Sequence, residues 1–129
     1  MEQNIQDRSF DFAFRIVRLH DYLSAKRGAA RVIARQLLKS GTSIGANLEE
    51  ASSGQSKADF ISKCSIAAKE ARETRYWLRL LTACKPVPSE RITALVKEAG
   101  EIVAIVTTIV KNAEKSPRRG AHSTFSVQH

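Results

Sequence analysis

The side chains best suited to catalysis or metal binding are scattered along this sequence. The three histidines are His20, His122 and His129, and none belongs to a Glu-x-x-His pair of the kind that binds two metal ions inside helical bundles. Cys64 and Cys84 lack the close Cys/His spacing of a zinc site. No glycine-rich phosphate loop follows a predicted strand. We therefore predict a protein that binds rather than catalyses and that needs no metal or cofactor.

The two cysteines are predicted to stay reduced. If both lie on one continuous helix, a rise of about 1.5 Å per residue separates Cys64 from Cys84 by about 30 Å. A disulfide needs Cα atoms within about 7 Å of each other. We expect both thiols in the core, which fits a reducing, cytoplasmic compartment.

Basic residues dominate the charge of the chain and are regularly spaced. The chain has 21 Lys and Arg against 13 Asp and Glu, a formal net charge of +8. This balance favours an anionic partner, most obviously nucleic acid. The excess lies in the second and third predicted helices and in the C-terminal tail. Arg27, Arg31, Arg35 and Lys39 follow one another at four-residue spacing, and the last three lie opposite the predicted apolar face.

On the third predicted helix, Lys69, Arg72 and Arg79 lie opposite the apolar seam, and Arg75 flanks it. Few acidic residues accompany these cations, so most lack the partner four residues away that usually neutralises a cation on a helix. Two basic stripes on consecutive helices suit phosphate contacts and carry no obvious code for reading bases. The residues that we predict to bind nucleic acid are Arg31, Arg35, Lys39, Lys69, Arg72, Arg75 and Arg79.

A line of polar residues accompanies the apolar stripe of the second helix and continues on the third. A buried polar line must form hydrogen bonds, and such lines fix the register and the choice of partner. We expect Asn47 and Glu50 to meet polar groups of another helix or subunit rather than to catalyse. The line comprises Gln36, Ser40, Ser43, Asn47 and Glu50 on the second helix, with Lys63, Glu70, Glu73 and Trp77 on the third.

Apolar spacing predicts a first amphipathic helix that begins near Asp7 or Ser9, either of which can cap it, and that ends near Lys26. Its predicted buried residues are Phe12, Ile16, Leu19 and Leu23, with Phe10, Ala13 and Val17 widening the stripe.

The second helix is predicted from about Ala29 to about Ser52. Gly41 and Gly45 lie inside it, and each costs about 1 kcal/mol relative to alanine. Because the apolar phase continues across both glycines, we predict the close approach of a neighbouring helix rather than a bend. Its predicted core residues are Ala30, Ile33, Leu37, Ile44, Leu48 and Ala51.

The third helix is predicted to start at a Ser56-x-x-Asp59 cap and to run to about Ala83. Pro86 and Pro88 prevent its continuation, and Ser89 is predicted to cap the fourth helix. Both helices have heptad-like apolar spacing. The predicted seams are Phe60, Cys64, Ala67, Ala71, Thr74, Leu78 and Leu81 on the third, and Ile92, Leu95, Val96, Ala99, Ile102, Val103, Val106, Ile109 and Val110 on the fourth.

Four amphipathic helices with short connections predict an all-α, antiparallel (up-down) four-helix bundle over residues 1–114. Residues 115–129 lack an apolar period and are predicted to form a flexible, basic C-terminal tail. No stretch approaches the ~20 apolar residues that span a bilayer. The N-terminus does not resemble a signal peptide, so we expect a cytoplasmic protein.

Two segments of the chain resemble the signatures of a known family. Residues 43–51 resemble the Ser-Ile-x-x-Asn-Ile-x-Glu signature of bacterial four-helix-bundle proteins, first noticed as products of intervening sequences inside large-subunit ribosomal RNA genes. Residues 68–78 resemble the second signature, in which a glutamate precedes a Tyr/Trp-Leu pair. The resemblance covers roughly residues 8–113. The chain departs from it at residues 49–53, where many members have an acidic residue followed by glycine and arginine.

The resemblance implies a four-helix protomer that assembles into a ring-like homopentamer. It also implies kinship with the accessory proteins of diversity-generating retroelements, which are basic pentameric barrels that bind a reverse transcriptase and nucleic acid. Two functions stay open at this point. One is a nucleic-acid-binding accessory protein for RNA or DNA, with a reverse transcriptase as a further partner. The other is a protein–protein interaction scaffold with no direct nucleic-acid role.

Overall fold

Four long helices make up the part of the chain that the structure, a computed structural model, describes: residues 3–53, 56–85 and 88–116. They are α1 (Ile5–Ser24), α2 (Ala29–Ser52), α3 (Lys57–Cys84) and α4 (Ser89–Lys115). No strand occurs within these ranges. The predicted bounds of α2 are confirmed, and the end of α3 differs from the prediction by one residue.

Each helix packs antiparallel against the next. Along the junction of α1 and α2, Gly45 lies against Ser9 and Gly41 against Ile16, so residue numbers rise on one helix as they fall on the other. At the junction of α3 and α4, Arg75 approaches Gly100, while the Lys57 ammonium donates a hydrogen bond to the Ser116 carbonyl. The last helix closes on the first, but α1 and α4 share the sparsest contact of the four neighbouring pairs. The predicted all-α, up-down four-helix bundle is thus confirmed.

One apolar core runs through the bundle and is built from the residues at the predicted seam positions. All seven seam residues of α3 are buried, including Cys64 and the polar Thr74. In α1 the buried positions recur at alternating spacings of four and three: Ile5, Ser9, Phe12, Ile16, Leu19 and Leu23. The prediction that Phe10 widens this stripe is wrong, since its side chain is 72% exposed. The four-three spacing places Ser9 inward instead, where it lies against Gly45.

The caps of two helices differ from the sequence prediction. The α1 helix begins two residues before Asp7, because the Asn4 side chain accepts a hydrogen bond from the Asp7 amide at 2.8 Å. It ends at Ser24 rather than near Lys26, and Arg27 lies in the connection to α2. In α4 the N-cap position belongs to Pro88, without a side-chain hydrogen bond, and Ser89 is the first helical residue. By contrast, Ser56 caps α3 as predicted, by accepting from the Asp59 amide.

The C-terminal end of α4 extends slightly beyond the predicted bundle boundary. Lys115 is its last residue, one position into the segment that we predicted as tail. Residues 117–129 of that predicted tail lie outside the described residues. Among the helices described, none combines the length and the apolarity needed to cross a membrane.

The two glycines of α2 mark the closest approach in the bundle. A Cβ atom built on Gly41 would lie 2.8 Å from Ile16 Cγ2, and one on Gly45 would lie 3.3 Å from Ser9 Oγ. The helix continues unbroken across both. Close helix packing, the reason that we predicted for these glycines, is confirmed.

Replacing Gly41 with alanine should destabilise the protein although alanine is the better helix former. Ile16 is fully buried and branched at Cβ, so it cannot move aside. Overpacking should outweigh the gain in helix propensity and lower the free energy of unfolding by about 1 to 2 kcal/mol. Chemical denaturation measures this change.

Gly100→Ala is the matched control, because its Cβ would meet only Arg75 Nε, at an ordinary 3.6 Å. We expect this variant to be as stable as the parent or up to about 1 kcal/mol more stable. Equal effects of the two substitutions would contradict the close-contact explanation.

The two thiols should react very differently. Burial raises the pKa of Cys64 to about 12, whereas Cys84, at the end of α3, is exposed rather than buried as predicted. Because the thiolate is the reactive form, a thiol reagent should modify one cysteine per native chain and two in denaturant. Cys84→Ser should abolish the native reaction. Rapid modification of that variant would show that Cys64 is accessible.

Candidate nucleic-acid interface

All seven cations predicted to bind nucleic acid have exposed side chains on the outer surfaces of α2 and α3. None of them forms an ion pair with a carboxylate of the described residues. The ion pairs found in that part of the chain involve Arg8 and His20. They are Arg31, Arg35 and Lys39 on α2, and Lys69, Arg72, Arg75 and Arg79 on α3. Their positive charge is therefore left to interact with a partner from solution.

The arginines of α3 lie toward α4. The Arg75 side chain reaches the surface of α4 at Gly100. One turn further along, Arg79 lines a shallow cavity of about 240 Å³ together with Thr82 of α3 and Thr93 of α4. Arg72, three residues before Arg75, shares this side of the helix. The junction of α3 and α4 thus carries a row of three unpaired arginines.

The two basic stripes are separated by the junction of α2 and α3. At this junction the hydroxyl oxygens of Ser40 and Thr74 lie 2.8 Å apart in a buried hydrogen bond between the helices. Thr74 in turn donates to the carbonyl oxygen of Glu70. The α2 side of α3 therefore carries polar and acidic groups, whereas its α4 side carries the arginines. A polyanion would meet two basic stripes rather than one merged surface.

The expected polar line lies along the same junction, and its member Ser40 is buried and joins the two helices, whereas Ser43 and Asn47 bond within α2. The Asn47 amide donates to the Ser43 carbonyl oxygen at 2.8 Å, and Ser43 donates to the Lys39 carbonyl, both within α2. Glu50 is exposed. On α3, the Trp77 indole donates to Glu73 at 3.2 Å, one turn earlier. Asn47 bonds to its own helix because Ser and Asn side chains bond readily to the carbonyl four residues before them. That Asn47 and Glu50 meet polar groups of another subunit stays a prediction.

Two carboxylates of α4 are held by a cation of α1. The Arg8 guanidinium donates to both oxygens of Glu98, at 3.0 and 2.6 Å, and to Glu101 at 2.7 Å. The bond to Glu98 is the main cause of the raised pKa of Arg8, and Arg8 lowers the pKa of Glu101. This cluster joins residues about ninety positions apart, so the sequence offered no signal for it. Because Glu98 and Glu101 bind Arg8, they are not paired with the cations of α2 and α3.

Sequence reasoning missed a second group of unpaired cations, in a groove between α1 and α4. The groove has a volume of about 460 Å³. Residues 1–26 carry four basic and four acidic groups, so the net charge of this part of the chain gives no signal for the groove. The residues that line the groove are Phe14, Arg15, Arg18 and Leu19 of α1, and Arg91, Ala94 and Leu95 of α4.

Groups suited to metal binding are dispersed in the described ranges. No cluster of three or more His, Cys, Asp or Glu side chains occurs there. The one histidine that they include, His20, contacts Asp21 and Ser24 of its own helix.

Comparison with known proteins identifies a family and a structural relative. A family model described as 23S rRNA-intervening sequence protein matches residues 1–108. The crystal structure of a protein with unknown function, from the S23 ribosomal protein family of Bacteroides thetaiotaomicron VPI-5482, is 41% identical with a TM-score of 0.77. The alignment covers 83% of this chain and 98% of that one. No curated protein matches the chain.

Proposed function

This chain belongs to the family of 23S rRNA-intervening sequence proteins, and we propose that it is a non-enzymatic accessory protein that binds RNA or DNA. The observation that carries the proposal is the set of seven exposed cations on α2 and α3, none of them paired with a carboxylate in the described residues. The family description refers to ribosomal RNA, which favours RNA.

The arrangement of the cations favours phosphate contacts over the recognition of base sequence. Residues four apart on a helix rise by about 6 Å, so each stripe offers a series of charges along the helix surface. Long, exposed Arg and Lys side chains can follow a phosphate backbone of any sequence. The proposed contacts are those predicted from the sequence: Arg31, Arg35, Lys39, Lys69, Arg72, Arg75 and Arg79.

We further propose that the protein works as a homopentameric ring in the cytoplasm and partners a reverse transcriptase of a diversity-generating retroelement. The support for assembly is the family resemblance together with large apolar side chains on the protomer surface. Val32 of α2 and Ile66 and Tyr76 of α3 are all exposed, and exposed apolar groups of this size are common at contacts between subunits.

Removing two stripe cations should weaken binding and its dependence on salt. In the variant Arg31→Gln with Arg35→Gln, the slope of log affinity against log salt should fall by about 1.4, since each phosphate contact with a single strand contributes about 0.7. Fluorescence anisotropy with a labelled 20-nucleotide RNA measures this slope. Arg72→Gln with Arg79→Gln should act in the same way on α3.

Lys97→Gln with Lys111→Gln is the charge-matched control, because it removes the same charge from exposed positions of α4. It should leave the slope close to that of the parent. A flat salt profile of the parent protein would contradict the proposal. In that case, partners retained in pull-downs after nuclease treatment would favour a protein–protein scaffold.

The ring predicts a defined mass in solution. Light scattering should give about five times the 14.3 kDa of the chain. A monomeric mass over the micromolar range would contradict the pentamer while leaving nucleic-acid binding by the protomer intact.

A further inference from the structure

The groove between α1 and α4 has the composition of a site for a single nucleotide. Leu19 and Leu95, both buried, form an apolar floor beside Ala94. The Phe14 ring, 54% exposed, forms a wall. Arg15, Arg18 and Arg91 supply the cations around it. From this arrangement we infer that the groove binds an unpaired nucleotide of a single-stranded nucleic acid, with the base against Phe14 and the phosphates against the arginines.

The charge of the groove is not neutralised by its neighbours. The carboxylates within about one turn of the lining residues are Asp11 and Asp21 on α1 and Glu90 and Glu98 on α4. Asp11 accepts a hydrogen bond from the Gln3 amide at 2.6 Å, Asp21 contacts His20, and Glu98 is held by Arg8. None of the three groove arginines forms an ion pair within the described ranges. Three unpaired guanidinium groups around one groove attract an anion and suit phosphate oxygens in particular.

Aromatic and basic side chains alternate along the exposed edge of α1 that borders the groove. The Arg18 guanidinium lies 5.7 Å from the centre of the Phe14 ring, and the Lys26 ammonium lies 4.9 Å from that of Tyr22. Stacking rings interleaved with cations are typical of surfaces that bind single strands. The row, at four-residue spacing, is Phe14, Arg18 and Tyr22 on α1, with Lys26 just beyond the end of the helix.

A single strand fits this surface better than a duplex does. In a duplex the bases are stacked inside the helix, so only phosphates would reach the arginines and the Phe14 ring would have no partner. An unpaired base can leave its stack and cover the exposed ring. The alternation of rings with cations also distinguishes this edge from an apolar contact with another subunit, whose centre is depleted of charge.

The inference rests on the proposed function, because it names the form of nucleic acid that the protein recognises, but it depends on different residues. It can be tested on the full chain by anisotropy with a labelled 20-nucleotide oligouridine and with an RNA duplex of equal length. In Phe14→Leu, affinity for oligouridine should fall about fivefold or more, while affinity for the duplex changes less than twofold. Phe14→Tyr, which keeps the ring, should bind as the parent does.

Phe10→Leu is the matched control, because it removes an exposed phenylalanine of α1 that does not line the groove. Its loss of affinity for oligouridine should be smaller than that of Phe14→Leu.

In Arg15→Gln with Arg91→Gln, oligouridine affinity should also fall by more than duplex affinity. Circular dichroism and light scattering establish that each variant keeps the helix content and the mass of the parent.

Each remaining outcome has a distinct meaning. If the groove variants bind oligouridine normally while Arg31→Gln with Arg35→Gln binds it weakly, the groove inference is wrong and the proposed function stands. If only the groove variants lose affinity, the groove inference stands and the α2 stripe is not the contact. If Phe14→Leu lowers the mass in solution without lowering affinity, the groove is a subunit contact. Failure of the parent to bind either probe overturns both proposals.

Discussion

The close contact of α1 with α2 at Gly41 determines how the rest of the bundle is arranged. Because a missing side chain lets Ile16 press against the backbone of α2, α1 is held mainly from that side. Its contact with α4 is the sparsest between neighbouring helices, and Arg8 with its two glutamates joins them. Beyond Arg8, toward the end of α1, a groove lies between the two helices and is lined by Phe14 and the arginines. Tight packing on one side of α1 thus accompanies an open surface on the other.

The distribution of carboxylates matters as much as that of the cations. The chain carries 13 acidic residues, and several of them have partners other than the seven stripe cations and the groove arginines: Glu98 and Glu101 contact Arg8, Glu73 contacts Trp77, and Asp11 contacts Gln3. The cations of α2, α3 and the groove are consequently left unpaired in the described residues. An exposed charge without a protein partner contributes little to stability. The proposed binding of a polyanion would give these side chains a role that folding does not.

Sequence patterns predicted most of the core because burial in a helix follows a fixed period. The alternating spacing of four and three places Cys64, Thr74 and Leu78 inward whatever the neighbouring helices are. Apolarity alone misled the prediction where it departed from this spacing. Phe10 is the more apolar residue, yet the spacing places Ser9 inward, where it lies against Gly45. Cys84 is exposed because α3 reaches its end there, beyond the packed part of the bundle.

The amino-acid sequence by itself determined four amphipathic helices, the need for close approach at the two α2 glycines, and the exposure of seven cations opposite the apolar seams. These properties depend on the spacing of residues within one helix, because the helix repeat fixes the direction in which each side chain points. Only the tertiary structure decided which charges meet. Arg8 pairs with Glu98 and Glu101, and the arginines of α3 lie on its α4 side. Arg15 and Arg18 of α1 and Arg91 of α4 line the same groove. Such contacts depend on how helices that are distant in sequence are positioned relative to one another. The apolar period of a single helix carries no information about that position.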